Sequence, residues 1–123
     1  MLKPGDSWID PAVLLSSCES DPQLLDTIVS VLAVHLPRQL AALRDQIFAA
    51  DAVAAQNSAH QLQAMIGTAS SRAGSIVAEL ERAAAAGKLD DARQLLEQLT
   101  RATDALLLEL PTLSIFSLQQ RVS

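Results

Sequence analysis

The sequence predicts an all-α protein, and three features of its composition lead to that prediction. Leu and Ala, two strong helix formers, together account for 42 of the 123 residues. Gly occurs four times and aromatic residues make up 2%, which argues against an all-β domain. With 50% hydrophobic and 19% charged residues, the chain is too apolar to be intrinsically disordered. A chain of this length fits one compact domain and excludes a multi-domain enzyme.

Helix-capping residues indicate where helices begin in the first half of the chain. Asp10 before Pro11 and Asp21 before Pro22 each place an N-cap side chain ahead of a proline, which indicates two helix starts. The first helix is short. The second is long, and its apolar stripe recurs every three or four residues: Leu25, Ile28, Leu32, Leu36, Leu40, Leu43 and Ile47. Because the stripe stays in phase across Pro37, we expect a kink near residues 33 to 37 and no break.

Three further amphipathic helices follow. Asp51 caps the first, and the stretch of Ser70, Ser71 and Arg72 interrupts its apolar pattern before the next helix, which runs to Gly87. The last begins near Leu89. The apolar positions of these helices are Ala55, Ala59, Leu62, Ile66 and Ala69, then Ile76, Leu80, Ala83 and Ala84, then Leu95, Leu99, Ala102, Leu106 and Leu110.

Short connections force consecutive helices to run antiparallel. The sequence therefore predicts an antiparallel up-down four-helix bundle with a short N-terminal helix, formed by residues 1–110. Trp8 is expected to anchor the N-terminal segment on the end of the bundle. Pro111 ends the last helix, and residues 111–123 are expected to form a C-terminal tail because they show no clear period.

Charge and composition exclude several functions. The net charge is -5 and no window carries clustered Lys or Arg, which disfavours nucleic acid and anionic membranes as partners. One Cys and two His cannot build a closed structural zinc site, so no metal is expected. We find no signal peptide, no run of about 18 apolar residues that would span a membrane and no phosphate-binding loop for ATP. We expect a cytoplasmic domain without autonomous catalysis or a cofactor of its own.

His60 is the candidate reactive residue of this sequence. When Ala59 and Leu62 face the core, the imidazole points largely outward. Its face is shared with residues that are polar or very small: Gln56, Gln63, Ala64 and Gly67. An exposed imidazole near neutral pH is substantially uncharged and keeps a free lone pair. The open surface beside it would let another folded protein reach this nucleophile.

The sequence around His60 resembles the histidine-containing phosphotransfer (HPt) domain of bacterial phosphorelays. The resemblance covers about residues 8 to 110 and includes the entry helix and the proline-containing second helix. It is carried by Ser58-Ala59-His60-Gln61-Leu62-Gln63-Ala64, by Glu79-Leu80-Glu81 and by Ala86-Gly87-Lys88-Leu89-Asp90. In that family an Ala-His pair is followed by Leu two residues after the His, by a Leu-Glu pair on the next helix and by a Gly-acidic turn.

The resemblance implies a function in two-component signal transduction. His60 would accept a phosphoryl group from the aspartyl phosphate of a response-regulator receiver domain and pass it to another receiver. Gln63 would contact the phosphoryl group, and the docking face would include Gln56, Gln61, Ala64 and Gly67. In such relays Mg²⁺ and the acidic pocket belong to the receiver. The domain would be free-standing or the C-terminal, cytoplasmic part of a hybrid, membrane-bound sensor histidine kinase.

Two departures from the family leave an alternative open. Family members usually carry Lys three residues and Gly four residues after the His, where this chain has Gln63 and Ala64. Gln63 can donate a hydrogen bond but lacks the charge that would offset a phosphoryl group, and Ala64 adds a methyl group beside the ring. The alternative is a phosphotransfer-deficient helical adaptor that binds a receiver or kinase without carrying phosphate.

Overall fold

A computed structural model describes residues 7–122, and in these residues every regular element is helical. Two long and two medium helices make up most of the chain. The α-helices are α1 (Pro11–Ser17), α2 (Pro22–Phe48), α3 (Ala52–Ile66), α4 (Ser71–Ala85), α5 (Leu89–Glu109) and α6 (Ile115–Val122), with a 3₁₀ turn at Leu110–Thr112. The all-α prediction is therefore confirmed.

The predicted N-caps are present in the structure. The carboxylates of Asp10, Asp21 and Asp51 accept hydrogen bonds from the backbone N–H groups at the starts of α1, α2 and α3. At the start of α4 the Ser70 hydroxyl accepts one from Ala73, in a buried position. These side chains satisfy backbone donors that have no partner inside the helix, which fixes where each helix begins.

Helix α2 runs without interruption through Pro37, as its unbroken apolar stripe predicts. Its buried face consists of Leu25, Leu32, Leu36, Leu40, Leu43 and Ile47. This helix packs against α3 and α5, and α4 packs against α3 and α5. The core between them is built almost entirely from Leu, Ile, Val and Ala side chains, and the small Ala side chains allow the helices to approach closely.

Among the described residues, α2 is also long and apolar enough to cross a membrane when judged by length and composition alone. The core helix of a soluble protein passes the same test. In this fold one face of α2 packs against the neighbouring helices, and 22% of the apolar stretch that meets the test is buried.

The N-terminal segment is attached to the turn between α3 and α4. The Asp10 backbone N–H donates to the Ala69 carbonyl over 2.8 Å, and the Ser71 hydroxyl donates to the Asp10 carboxylate over 2.9 Å. The Arg72 guanidinium lies 3.7 Å from the centre of the Trp8 ring, and this cation–π contact holds the half-buried indole against the start of α4. Trp8 thus anchors this segment, as expected from the sequence.

Residues 111–122, expected as a C-terminal tail without a clear period, form the end of the 3₁₀ turn and then α6. Helix α6 packs on α1, and its Leu118 side chain is fully buried. The Arg121 Nη1 atom lies 2.7 Å from Oε1 of the buried Glu109 carboxylate, which also accepts from the Ser7 hydroxyl. The helix was missed because eight residues with one buried apolar position give no readable period. Ser123, the last residue of the expected tail, lies outside the described residues.

Candidate functional site

His60 lies in the second half of α3 with 75% of its side chain exposed. The exposure follows from helical spacing, because Ala59 and Leu62 on either side are fully buried in the core. The Asp51 cap fixes the start of this helix and hence the direction in which each of its side chains points. The imidazole therefore faces solvent, as the helical spacing predicts.

Glu81 of α4 is the partner of His60. Its Oε1 atom lies 3.3 Å from Nδ1 of the imidazole, and 23% of its side chain is exposed. Leu80 and Ala84, its neighbours on α4, are fully buried and keep that helix against the core. The contact is mostly solvent-accessible, so we assign it about 0–1 kcal/mol of stability. The contact places the Glu81 carboxylate beside the Nδ1 atom of the imidazole.

The other predicted site residues lie along α3 with different degrees of exposure. Gln61 and Ala64 are exposed, whereas Gln56, Gln63 and Gly67 are half-buried. Gln56, Gln63 and Ala64 share the His60 side of the helix by their spacing. Gln61 comes next after His60 in the sequence and therefore points about 100° further round the axis.

Gly67 stands at the end of α3, where the chain turns towards α4. A Cβ atom on Gly74 would make an ordinary van der Waals contact with the Gly67 Cα atom, at 3.7 Å. A Cβ atom on Gly67 itself would lie 2.9 Å from the Gln63 carbonyl oxygen, which is too close without a backbone shift. Gly67 is thus required by local packing, a role that is independent of any partner.

The His60–Glu81 pair was not predicted from the sequence as a contact. Glu81 carried part of the family resemblance through the Leu-Glu pair, but it was not included among the site residues. No spacing in the sequence marks this contact. His60 lies six residues before the end of α3 and Glu81 ten residues after the start of α4, so their alignment follows from how the two helices pack.

The site is a surface and not a cavity. An open groove of about 520 Å³ lies between α4 and α5, but it is lined by neither His60 nor Glu81. Within residues 7–122 no three His, Cys, Asp or Glu side chains are grouped so that they could hold a metal ion. The His60 imidazole is thus presented on an exposed helix surface, outside this groove.

Comparisons with protein-family models, with curated proteins and with solved structures found no match to this chain.

Proposed function

We propose that this protein is a phosphorelay intermediate of the HPt type, with His60 as the phosphoacceptor. The observation that carries the proposal is the contact between His60 and Glu81, the glutamate of the Leu-Glu pair in the family pattern. An exposed His and an acidic group at the same level of two packed helices provide an oriented nucleophile on an open surface.

The contact selects one nitrogen of the ring. A carboxylate oxygen accepts hydrogen bonds, so Glu81 beside Nδ1 favours the tautomer that carries hydrogen on Nδ1. Nε2 then keeps its lone pair, and it lies on the opposite side of the ring from Glu81. Nε2 is therefore the atom that we assign as the phosphoacceptor.

The transfer is a phosphoryl exchange between two side chains. The Nε2 lone pair attacks the phosphorus of the receiver's aspartyl phosphate, the acyl oxygen–phosphorus bond breaks, and the receiver's aspartate leaves as a carboxylate. The hydrogen on Nδ1 stays beside Glu81. In the second transfer an aspartate of another receiver attacks the phosphorus and the Nε2–phosphorus bond breaks. Mg²⁺ is expected on the receiver, where it would offset charge on the phosphoryl group.

We infer a four-helix architecture and a cytoplasmic setting for this domain. Helices α2 to α5 would form an antiparallel up-down four-helix bundle, with α1 as the short N-terminal helix. The partners would be response-regulator receiver domains in the cytoplasm, with Gln63 touching the phosphoryl group. The domain would act alone or as part of a hybrid sensor histidine kinase.

The test is phosphoryl transfer from a panel of phosphorylated receivers. We expect at least one receiver to label the wild-type protein with acid-labile, base-stable phosphate and to leave His60→Gln unlabelled. His35→Gln is the matched control, since His35 is also an exposed helical histidine, and it should be labelled like the wild type. Equal labelling of His60→Gln would refute the assignment.

A phosphate-free adaptor is the second candidate, and Gln63 and Ala64 favour it because they replace the Lys and Gly usual in the family. Such an adaptor would bind a receiver with the same affinity after His60→Ala and would take up no phosphate. A binding titration with both proteins, run beside the labelling assay, separates the two functions.

A further inference from the structure

The longest helix, α2, carries a second row of side chains on the side opposite its buried face, and we call this row the outer stripe. Its positions are alternately three and four residues apart, which is the spacing by which two helices pack along a shared seam. The outer stripe consists of Val31, Val34, Arg38, Ala41, Asp45 and Phe48. Ala41 is half-buried and the other five residues are exposed.

The fold leaves much of the apolar surface of α2 uncovered. The exposed fractions are 44% for Val31, 49% for Val34 and 62% for Phe48. The Arg93 guanidinium lies 5.6 Å from the centre of the Phe48 ring and leaves most of that side chain in solvent. A row of exposed apolar side chains on one helix face is typical of a surface that another molecule covers.

The two charges of the outer stripe complement each other. Arg38 and Asp45 lie two helical turns apart, about 10 Å along the axis. Among residues 7–122 neither side chain has an ion-pair or hydrogen-bond partner. If two copies of α2 cross in antiparallel directions at Ala41, residue 38 of one copy is level with residue 44 of the other. Arg38 then lies beside Asp45 of the other copy, whereas a parallel pair would bring like charges together.

We propose that the outer stripe is a homodimer interface, in which two α2 helices pack antiparallel about a two-fold axis at Ala41. The symmetry forms the ion pair between Arg38 and Asp45 twice and places Phe48 level with Val34 of the other copy. The small Ala41 side chain allows the helices to approach closely at the axis. A lipid bilayer is the other cover for an apolar helix face, and the two charges within the stripe disfavour it.

This interface is separate from the candidate phosphoacceptor. His60 lies on α3 and contacts Glu81 of α4, whereas the outer stripe belongs to α2. Dimerisation therefore leaves the imidazole exposed, and it does not depend on phosphoryl transfer.

The test is sedimentation equilibrium at about 50 mM NaCl, where ion pairs are weakly screened. We expect the wild-type protein to dimerise reversibly between about 1 µM and about 500 µM. Arg38→Asp and Asp45→Arg each replace opposite charges with like charges at both symmetric contacts, so each should raise the dimer Kd at least about tenfold. Arg101→Asp is the matched control, because Arg101 is an exposed arginine of α5, and it should dimerise like the wild type.

A mixture of the two charge variants tests the antiparallel arrangement directly. When Arg38→Asp pairs with Asp45→Arg, both contacts again join opposite charges, so the mixture should form a heterodimer with a Kd within about threefold of the wild-type value. Circular dichroism should show the same helical content for all variants.

Several results would overturn the proposal. They are a wild-type protein that stays monomeric up to about 500 µM, single charge variants that dimerise as well as the wild type, and a mixture that stays monomeric. A monomeric wild-type protein that floats with phosphatidylcholine vesicles would assign the outer stripe to a membrane instead.

Discussion

The Glu81 carboxylate lies 3.3 Å from the Nδ1 atom of His60 and joins the exposed faces of α3 and α4. The imidazole alone would rotate among its rotamers, because three quarters of it is in solvent. A carboxylate beside one nitrogen favours hydrogen on that nitrogen and the ring orientations that keep the two groups close.

Replacing Glu81 should therefore slow phosphoryl transfer without unfolding the protein. We expect Glu81→Ala to lower the single-turnover rate about three- to tenfold, and Glu81→Gln to restore part of the orientation. Glu79→Ala is the control, because Glu79 is an exposed acidic residue of the same helix. Nitrogen NMR of His60 should show less of the Nδ1–H tautomer in Glu81→Ala. An unchanged tautomer ratio and rate would contradict the role of Glu81.

The double substitution Gln63→Lys with Ala64→Gly tests the cost of the two departures from the family pattern. Lysine brings a positive charge toward a phosphoryl group of about -2, and glycine removes a methyl group beside the ring. We expect the fraction of phosphorylated His60 at equilibrium with a receiver to rise about three- to tenfold. Separate single variants show which change is responsible. If neither transfer nor the equilibrium rises, the two native residues impose no such cost.

Arg121→Ala should destabilise the fold, because it removes the cation beside the buried Glu109 carboxylate. We expect a loss of about 1–2 kcal/mol in the free energy of unfolding, a modest value because the Arg121 side chain is 40% exposed. Urea denaturation measures it. The control is Arg93→Ala, whose ion pair with the exposed Asp90 is on the surface; its effect should stay within about 0.5 kcal/mol. Equal effects would mean that the Glu109 pair is no stronger than a surface pair.

Ala50 in the turn between α2 and α3 adopts a φ of 58°, a left-handed conformation that costs energy for a residue with a Cβ atom. Ala50→Gly should raise the free energy of unfolding by about 0.5–1 kcal/mol. Its neighbour Ala49 is also exposed but has a φ of -79°. Ala49→Gly should therefore lower stability by about 0.5–1 kcal/mol. Thermal unfolding of both variants should give shifts of opposite sign, and shifts of the same sign would contradict this explanation.

Local signals in the sequence were sufficient to predict most of the helices. Asp10, Asp21 and Asp51 lie next to the residues that they cap, and the long apolar stripe of α2 repeats often enough to be recognised through Pro37. Helix α6 is different, because it depends on burying Leu118 against α1, more than 100 residues earlier in the chain. Such a contact leaves no periodic trace in a segment of eight residues.

The candidate site likewise has some features that could be predicted from the sequence and others that could not. The exposure of His60 follows from the positions of Ala59 and Leu62 on one helix and could be predicted. Its contact with Glu81 depends on the alignment of two helices, which only their packing determines. The half-buried state of Gln63 likewise reflects the neighbouring helix and cannot be read from α3 alone.

The contact between α1 and α6 brings the two ends of the described chain together, with Arg121 Nη1 only 3.5 Å from the Ser7 hydroxyl. Residues 7 and 121 thus lie side by side, on the side of the fold where α1 packs against α6. A circular permutant that joins residues 7 and 122 through a linker of about four residues, reaching about 13 Å, should close without strain. New termini could then be placed at the Gly87 turn. The order of the helices along the chain would change, whereas the residues around His60 would stay the same.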